Sequence, residues 1–179
     1  MYRIKANNRE YLSSGLQAVL SWNLDNHSLQ AGMRIHSDEM DRFQWEDRYQ
    51  MVAGNLNMTT KATPGSDSNR IDSAKANALF IEDRYTSGDW TVTGGLRYES
   101  ISVQREDWGK SDQFRVSDPS VKEQDFSVMV PGISIEYVWK PTTTLSYGLH
   151  KGFAPHGPGG VKVVDGVPQN VEPETSMNH

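Results

Sequence analysis

Leu12-Ser13-Ser14-Gly15-Leu16-Gln17-Ala18-Val19-Leu20-Ser21-Trp22-Asn23-Leu24 separates into two interleaved sets. Leu12, Leu16, Ala18, Leu20, Trp22 and Leu24 occupy one set, interrupted only by Ser14. Ser13, Gly15, Gln17, Val19, Ser21 and Asn23 occupy the other. Successive side chains of a β-strand point to opposite faces, so this spacing predicts a strand with one apolar face. The run is about twelve residues long, whereas strands of soluble sheets average five or six.

Working outward, Asp25-Asn26-His27 predicts a short turn, and Leu29, Ala31, Met33 and Ile35 resume the alternation against Gln30, Gly32, Arg34 and His36. A second hairpin follows. Ala76, Ala78 and Phe80 share a register, Thr86-Ser87-Gly88-Asp89 turns the chain, and Trp90, Val92, Gly94, Leu96 and Tyr98 alternate with Thr91, Thr93, Gly95, Arg97 and Glu99. The third runs from Ile133, Ile135, Tyr137 and Trp139 through Lys140-Pro141-Thr142 to Leu145, Tyr147 and Leu149. Between hairpins the period is lost over Ser37 to Asp72, over Glu106 to Asp125 and over the Gly/Pro-rich Gly152 to Val171, which predicts three long loops.

Six strands, short turns at one end and long loops at the other make the asymmetry of an outer-membrane barrel, with short periplasmic turns and long extracellular loops. In such a wall the apolar side meets hydrocarbon and the polar side a wet lumen. A mean hydropathy of −0.66 is therefore compatible with a membrane protein. Trp22, Tyr85, Trp90, Tyr137 and Trp139 gather near the short turns, where one interfacial girdle belongs. A soluble antiparallel sandwich also alternates, but with shorter strands.

Composition closes other classes. The 179 residues contain no Cys, which excludes a disulfide scaffold, a Cys-based zinc site and a thiol nucleophile. No apolar run reaches the roughly 18 residues of a transmembrane helix. A net charge of −5 argues against a dedicated nucleic-acid binder, and the aromatic content argues against disorder.

Three local motifs resemble one family. Ala78-Leu-Phe-Ile-Glu-Asp-Arg-Tyr85 with Trp90-Thr-Val-Thr-Gly-Gly-Leu-Arg-Tyr-Glu99, then Val130-Pro-Gly-Ile-Ser134 with Leu145-Ser-Tyr-Gly-Leu-His-Lys-Gly-Phe-Ala-Pro155, then Val171-Glu-Pro-Glu-Thr-Ser-Met-Asn178, resemble barrel segments of TonB-dependent outer-membrane receptors in that order. The iron-siderophore and ferric-citrate-like branch is the nearest. The resemblance implies an all-β, antiparallel transmembrane barrel segment and a transporter rather than an enzyme. It also implies an iron-chelate ligand, outer-membrane lipid around the wall, and the TonB-ExbB-ExbD complex as partner through a plug domain. Residues 1–179 are expected to be an internal part of the barrel domain, without plug, signal peptide or barrel C-terminus. A passive outer-membrane porin or structural barrel, and a soluble β-sandwich binding protein, are the alternatives.

Arg42, Trp45, Arg48 and Tyr49 in the first expected loop, and Trp108 and Arg115 in the second, interleave cations with aromatics, a chemistry suited to an anionic iron chelate. Arg97, Glu99 and Glu136 are expected to face the lumen, as an ion-pair lining. His36, Asp38, Glu39 and Asp41 match no calcium loop, no His-Glu-x-x-His is present, and Gly157-Pro158-Gly159-Gly160 lacks the Lys of a phosphate loop. No catalytic residue, metal site or cofactor is expected.

Overall fold

In the computed structural model the described residues are 1–155, 157, 162–164, 167–169 and 173–178. The strands are β1 (Tyr2–Ala6), β2 (Arg9–Leu24), β3 (His27–Val52), β4 (Asn55–Thr60), β5 (Ser68–Ser87), β6 (Trp90–Asp107), β7 (Ser120–Lys140), β8 (Thr143–Ala154), β9 (Lys162–Val164), β10 (Val167–Gln169) and β11 (Glu174–Asn178). Every pairing is antiparallel. β2, β3, β5, β6, β7, β8 and β11 follow one another across one sheet, with β1 and β4 attached to the far end of β3, and β9 pairs with β10 in a separate ribbon. The sheet is open at β1/β2 and at β11.

All six expected strands are present, and the three short turns fall where the sequence placed them. Asp25 takes φ 48° and Gly88 takes φ 57° to close the first two. The first long loop is a correction. Ser37–Val52 continues β3, Asn55–Thr60 forms β4, and Ser68–Asp72 opens β5. Beyond Ile35 both faces of the sheet are polar, so the hydrophobic period vanishes while the hydrogen-bond ladder continues unbroken from His27↔Tyr85 to Gln44↔Ser68. Likewise Glu106 and Asp107 end β6 and Ser120–Asp125 belong to β7, leaving residues 108–119 as the second loop. Gly152–Ala154 end β8; Pro158, Gly159, Gly160, Val171 and Glu172 lie outside the described residues.

Register sorts the side chains onto two faces. One carries Leu16–Ile35, Ala18–Met33–Leu79–Tyr98–Met129, Leu20–Ala31–Ile81–Leu96–Pro131 and Tyr85–Val92–Ile135–Tyr147 as cross-strand rows. These residues are out in the open: Leu16 is 73% exposed, Leu20 64%, Leu79 61% and Ile81 55%. A soluble sandwich would bury such a face against a second sheet; among the described residues none covers it, and the buried hydrophobic residues among them are only Ala78, Ile101, Val103 and Val128, on the opposite face. An apolar band of this kind is stable facing hydrocarbon.

Gly32 shows how closely the wall is packed. The Phe80 ring fills the space where its side chain would stand, and a Cβ there would lie 2.7 Å from the Ala18 carbonyl oxygen. Gly32→Val is expected to cost about 1–3 kcal/mol, because backbone cannot retreat as a flexible side chain can. Urea unfolding of the lipid-embedded barrel measures it.

Candidate functional site

The ends of β2, β3, β5 and β6 remote from the short turns bring arginines into register on the polar face. Arg9 faces Arg42, Arg42 faces Arg70, and Arg70 faces Asp107. In the next row Met40 faces Asp72, Asp72 faces Arg105, and Arg105 faces Lys122. The two rows thus hold five cations and two carboxylates.

Asp72 is the hub and is 8% exposed. Arg105 binds it with both arms, Nε to Oδ1 at 2.5 Å and Nη2 to Oδ2 at 3.1 Å. Arg70 Nε lies 3.4 Å from Oδ2 and Arg42 Nε 3.9 Å. The fork takes two of about four acceptor positions on the carboxylate, and the remainder faces the far larger set of N–H donors on Arg70 and Arg42. Arg70 Nε is buried and makes no hydrogen bond. Arg42, beyond the apolar band, is held below its ordinary pKa by burial first, then by Arg70 and Arg9, against the opposing pull of Asp72. The site has more donors than acceptors and is suited to an anion.

The six sequence-derived ligand residues are not brought together. Arg42, Trp45, Arg48 and Tyr49 are on strand β3 and not on a loop, because the ladder continues past the end of the hydrophobic period. Arg42 joins the cluster just described. Arg48 is exposed on the far extension of β3, where its carbonyl accepts from Thr59 Oγ1 at 3.1 Å. Trp45 and Tyr49 alternate with them onto the opposite face.

Trp108 and Arg115 do meet, on that opposite face. Arg115 forks onto Asp41, Nη1 to Oδ2 at 2.7 Å and Nη2 to Oδ1 at 2.5 Å, and its Nε donates to Asn69 Oδ1 at 2.8 Å. Its guanidinium lies 4.7 Å from the Trp108 ring centroid and 5.4 Å from that of Phe43. The hydrogen bonds to Asp41 raise its pKa above the ordinary value despite burial. Three of its N–H groups are engaged within the protein, so this group latches loop 108–119 to the wall. Within that loop Asp112 is held below the usual carboxylate range by the Ser117 hydroxyl and the Ser117 and Val116 amides.

Arg97, Glu99 and Glu136 stand on the polar face. Arg97 Nε donates to Glu99 Oε1 at 2.5 Å, and Arg84 Nη2 to Glu136 Oε2 at 3.1 Å. His36 and Asp38 share that face, 3.4 Å apart, while Glu39 and Asp41 point the other way; among the described residues no three donors gather for a metal ion. Arg9, Arg70, Asp72 and Arg105 were missed from sequence. Their signal was Arg70-Ile71-Asp72, a charge alternation around a single Ile, too short to mark a strand.

Comparison with known proteins agrees with this architecture. The model of the TonB dependent receptor-like beta-barrel family matches residues 2–179. No curated protein matches the chain. Among solved structures, the ferric citrate transporter FecA in its unliganded form is similar with a TM-score of 0.70 and 18% identity, covering 98% of this chain and 25% of that one. The siderophore receptor PiuA from Acinetobacter baumannii gives 0.64 and 10%, covering 98% and 28%. This chain therefore spans about a quarter of the length of these structures, a transporter and a receptor, and shares their fold. With an open antiparallel wall, an exposed apolar band, short turns at one end and a family match along nearly its whole length, the chain belongs to the TonB-dependent receptor β-barrel family.

Proposed function

We propose that this chain is part of the wall of a bacterial outer-membrane receptor that takes up an anionic iron chelate, of ferric-citrate or siderophore type, with energy from the TonB-ExbB-ExbD complex. The reading is carried by the surplus of guanidinium donors around Asp72. Arg42, Arg70 and Arg105 converge there with Arg9 beside them, on the polar face and at the end away from the short turns. Carboxylate, hydroxamate and catecholate oxygens are the acceptors that such donors lack. The two similar structures, a ferric citrate transporter and a siderophore receptor, support the same class. Arg97–Glu99 and Arg84–Glu136, closer to the short turns, are paired within the wall and serve as its lining.

The test is chelate binding to the receptor that contains this segment. Arg42→Gln leaves the Arg105–Asp72 fork intact and is expected to weaken ferric citrate or ferric siderophore binding about tenfold, the loss of one charge-assisted contact. A neutral solute should be unaffected. Unchanged affinity for every anionic chelate in the Arg42→Gln, Arg70→Gln pair would overturn the reading, and uptake independent of TonB would replace it with a passive porin.

A further inference from the structure

Eight residues along β3 from Arg42, toward the short turns and on the same polar face, stands Arg34. At a strand rise of roughly 3.3 Å per residue it lies about 26 Å deeper than the Asp72 cluster. Arg34 is exposed, and among the described residues it makes no hydrogen bond and no ion pair. It forms one side of a cavity of about 140 Å³, shared with His36 on the same strand, Ala76 and Ala78 on β5, and Arg97 and Glu99 on β6.

Register makes the cavity. Arg34 faces Ala78 and Ala78 faces Glu99, while His36 faces Ala76, so two methyl side chains on the middle strand form a floor between longer ones. The His36 ring does not close it. Its Nε2 is 3.2 Å from Ser13 Oγ, and its Cδ2 is 3.2 Å from where a Cβ on Gly15 would stand, so the ring leans toward β2 and away from the floor. On the other side Arg97 is held by its Nε bond to Glu99 Oε1, 2.5 Å, and by the Phe80 ring, 5.8 Å from the guanidinium to the centroid. That bond uses one of its five N–H groups. Leaving His36 aside, the lining has two guanidiniums against one carboxylate, which is itself engaged by Arg97.

We propose that this cavity is a binding site for a small carboxylate, held between Arg34 and Arg97. A carboxylate matches the guanidinium fork of Arg34 with two parallel hydrogen bonds, and Arg97 adds the second positive charge. Its single negative charge balances the one net positive charge of the lining, whereas a phosphate dianion would be repelled more strongly by Glu99. Size points the same way. A cavity of about 150 Å³ accepts a benzene-sized molecule and drug-sized ligands need about 300–1,000 Å³, so the space suits a small anion and not a whole iron chelate. The inference needs only that the polar face be wet, and it is independent of the chelate reading of the Asp72 cluster.

The experiment uses the receptor containing this segment, folded in detergent micelles, with trifluoroacetate as the probe and fluorine NMR line broadening as the readout. It is run in the Arg42→Gln, Arg70→Gln background, so that the outer cluster contributes little. Saturable broadening is expected, displaced by acetate more readily than by inorganic phosphate. Arg34→Gln should weaken it about tenfold, the loss of one charge-assisted contact. Ala78→Val, which fills the floor and leaves every charge in place, should weaken it several-fold. Valine is a good strand former, and heat-modifiable gel mobility verifies that both variants fold. Broadening that survives both substitutions overturns the site, and a preference for phosphate overturns the carboxylate assignment. Absence of saturable broadening overturns it as a site for a free ligand; if Arg34→Gln then also speeds hydrogen exchange outside residues 1–179, a carboxylate of the receptor itself occupies the cavity. Ferric citrate binding by the parent receptor is measured separately, so each of these failures leaves the chelate reading standing.

Discussion

Asp72→Ala is expected to loosen the ends of β3, β5 and β6 remote from the short turns, at a cost of about 3–5 kcal/mol. The carboxylate is the shared partner of Arg105, Arg70 and Arg42 and is nearly inaccessible. Removing it leaves three guanidiniums facing one another, with Arg9 next in the row and only Asp107 at its far end. The loss follows from stranding charges more than from deleting one contact, so it should be relieved by removing a charge. Arg42→Met in the Asp72→Ala background is expected to recover a substantial part, because Arg42 is the farthest of the three from the carboxylate and its charge is already opposed by Arg70 and Arg9. Hydrogen exchange of residues 41–44, 69–73 and 104–107, with urea unfolding of the lipid-embedded barrel, measures both effects. A cost below about 1 kcal/mol would show that solvent or the ligand space screens the cluster.

Arg115→Ala should release loop 108–119 from the wall. The side chain supplies a fork to Asp41, a bond to Asn69 and two ring contacts, and it is the point where Phe43, Trp108 and Asn69 converge. Asn69 Nδ2 also donates to the Asp112 carbonyl at 2.5 Å, so the loop is tied at a second point that depends on the first. Loss of the fork costs about 2 kcal/mol, which corresponds to about a 30-fold rise in the rate of proteolytic cutting within the loop. Arg115→Lys keeps the charge and loses the fork; it should lie nearer to Ala than to the parent protein. Asp41→Asn should reproduce the Arg115→Ala effect. Chelate binding at the Asp72 cluster is expected to persist in all three, because the latch sits on the opposite face of β3 from Arg42.

The contrast between these two groups explains what could be read from the chain. Leu12–Leu24 and Trp90–Glu99 sit in surroundings that differ on their two sides, and the difference is written as a period of two. Residues 37–52 and 68–72 are also strand, but polar side chains stand on both of their faces there. No surrounding asymmetry constrains side-chain polarity, so the stretch had the composition of a loop. That misreading put Arg42, Trp45, Arg48 and Tyr49 on a loop, whereas they stand on β3. Arg42 and Asp41 are neighbours in sequence and belong to different groups, because one residue along a strand means the other face of the sheet. Trp108 and Arg115 do meet, as their shared loop allowed, but to latch that loop.

The sequence by itself therefore determined the architecture: antiparallel strands long enough to span a bilayer, three short turns, and an apolar band that only a membrane or a second sheet could cover. Those properties follow from local alternation and turn chemistry, which act over a few residues. Only the tertiary structure decided where the charges go. The register between β2, β3, β5 and β6 places Arg9, Arg42, Arg70 and Arg105 around Asp72, although Arg9 and Arg105 are 96 positions apart in the chain. Cross-strand register depends on turn geometry and on the summed ladder of hydrogen bonds, and a shift by one residue would exchange the two faces and dissolve the cluster.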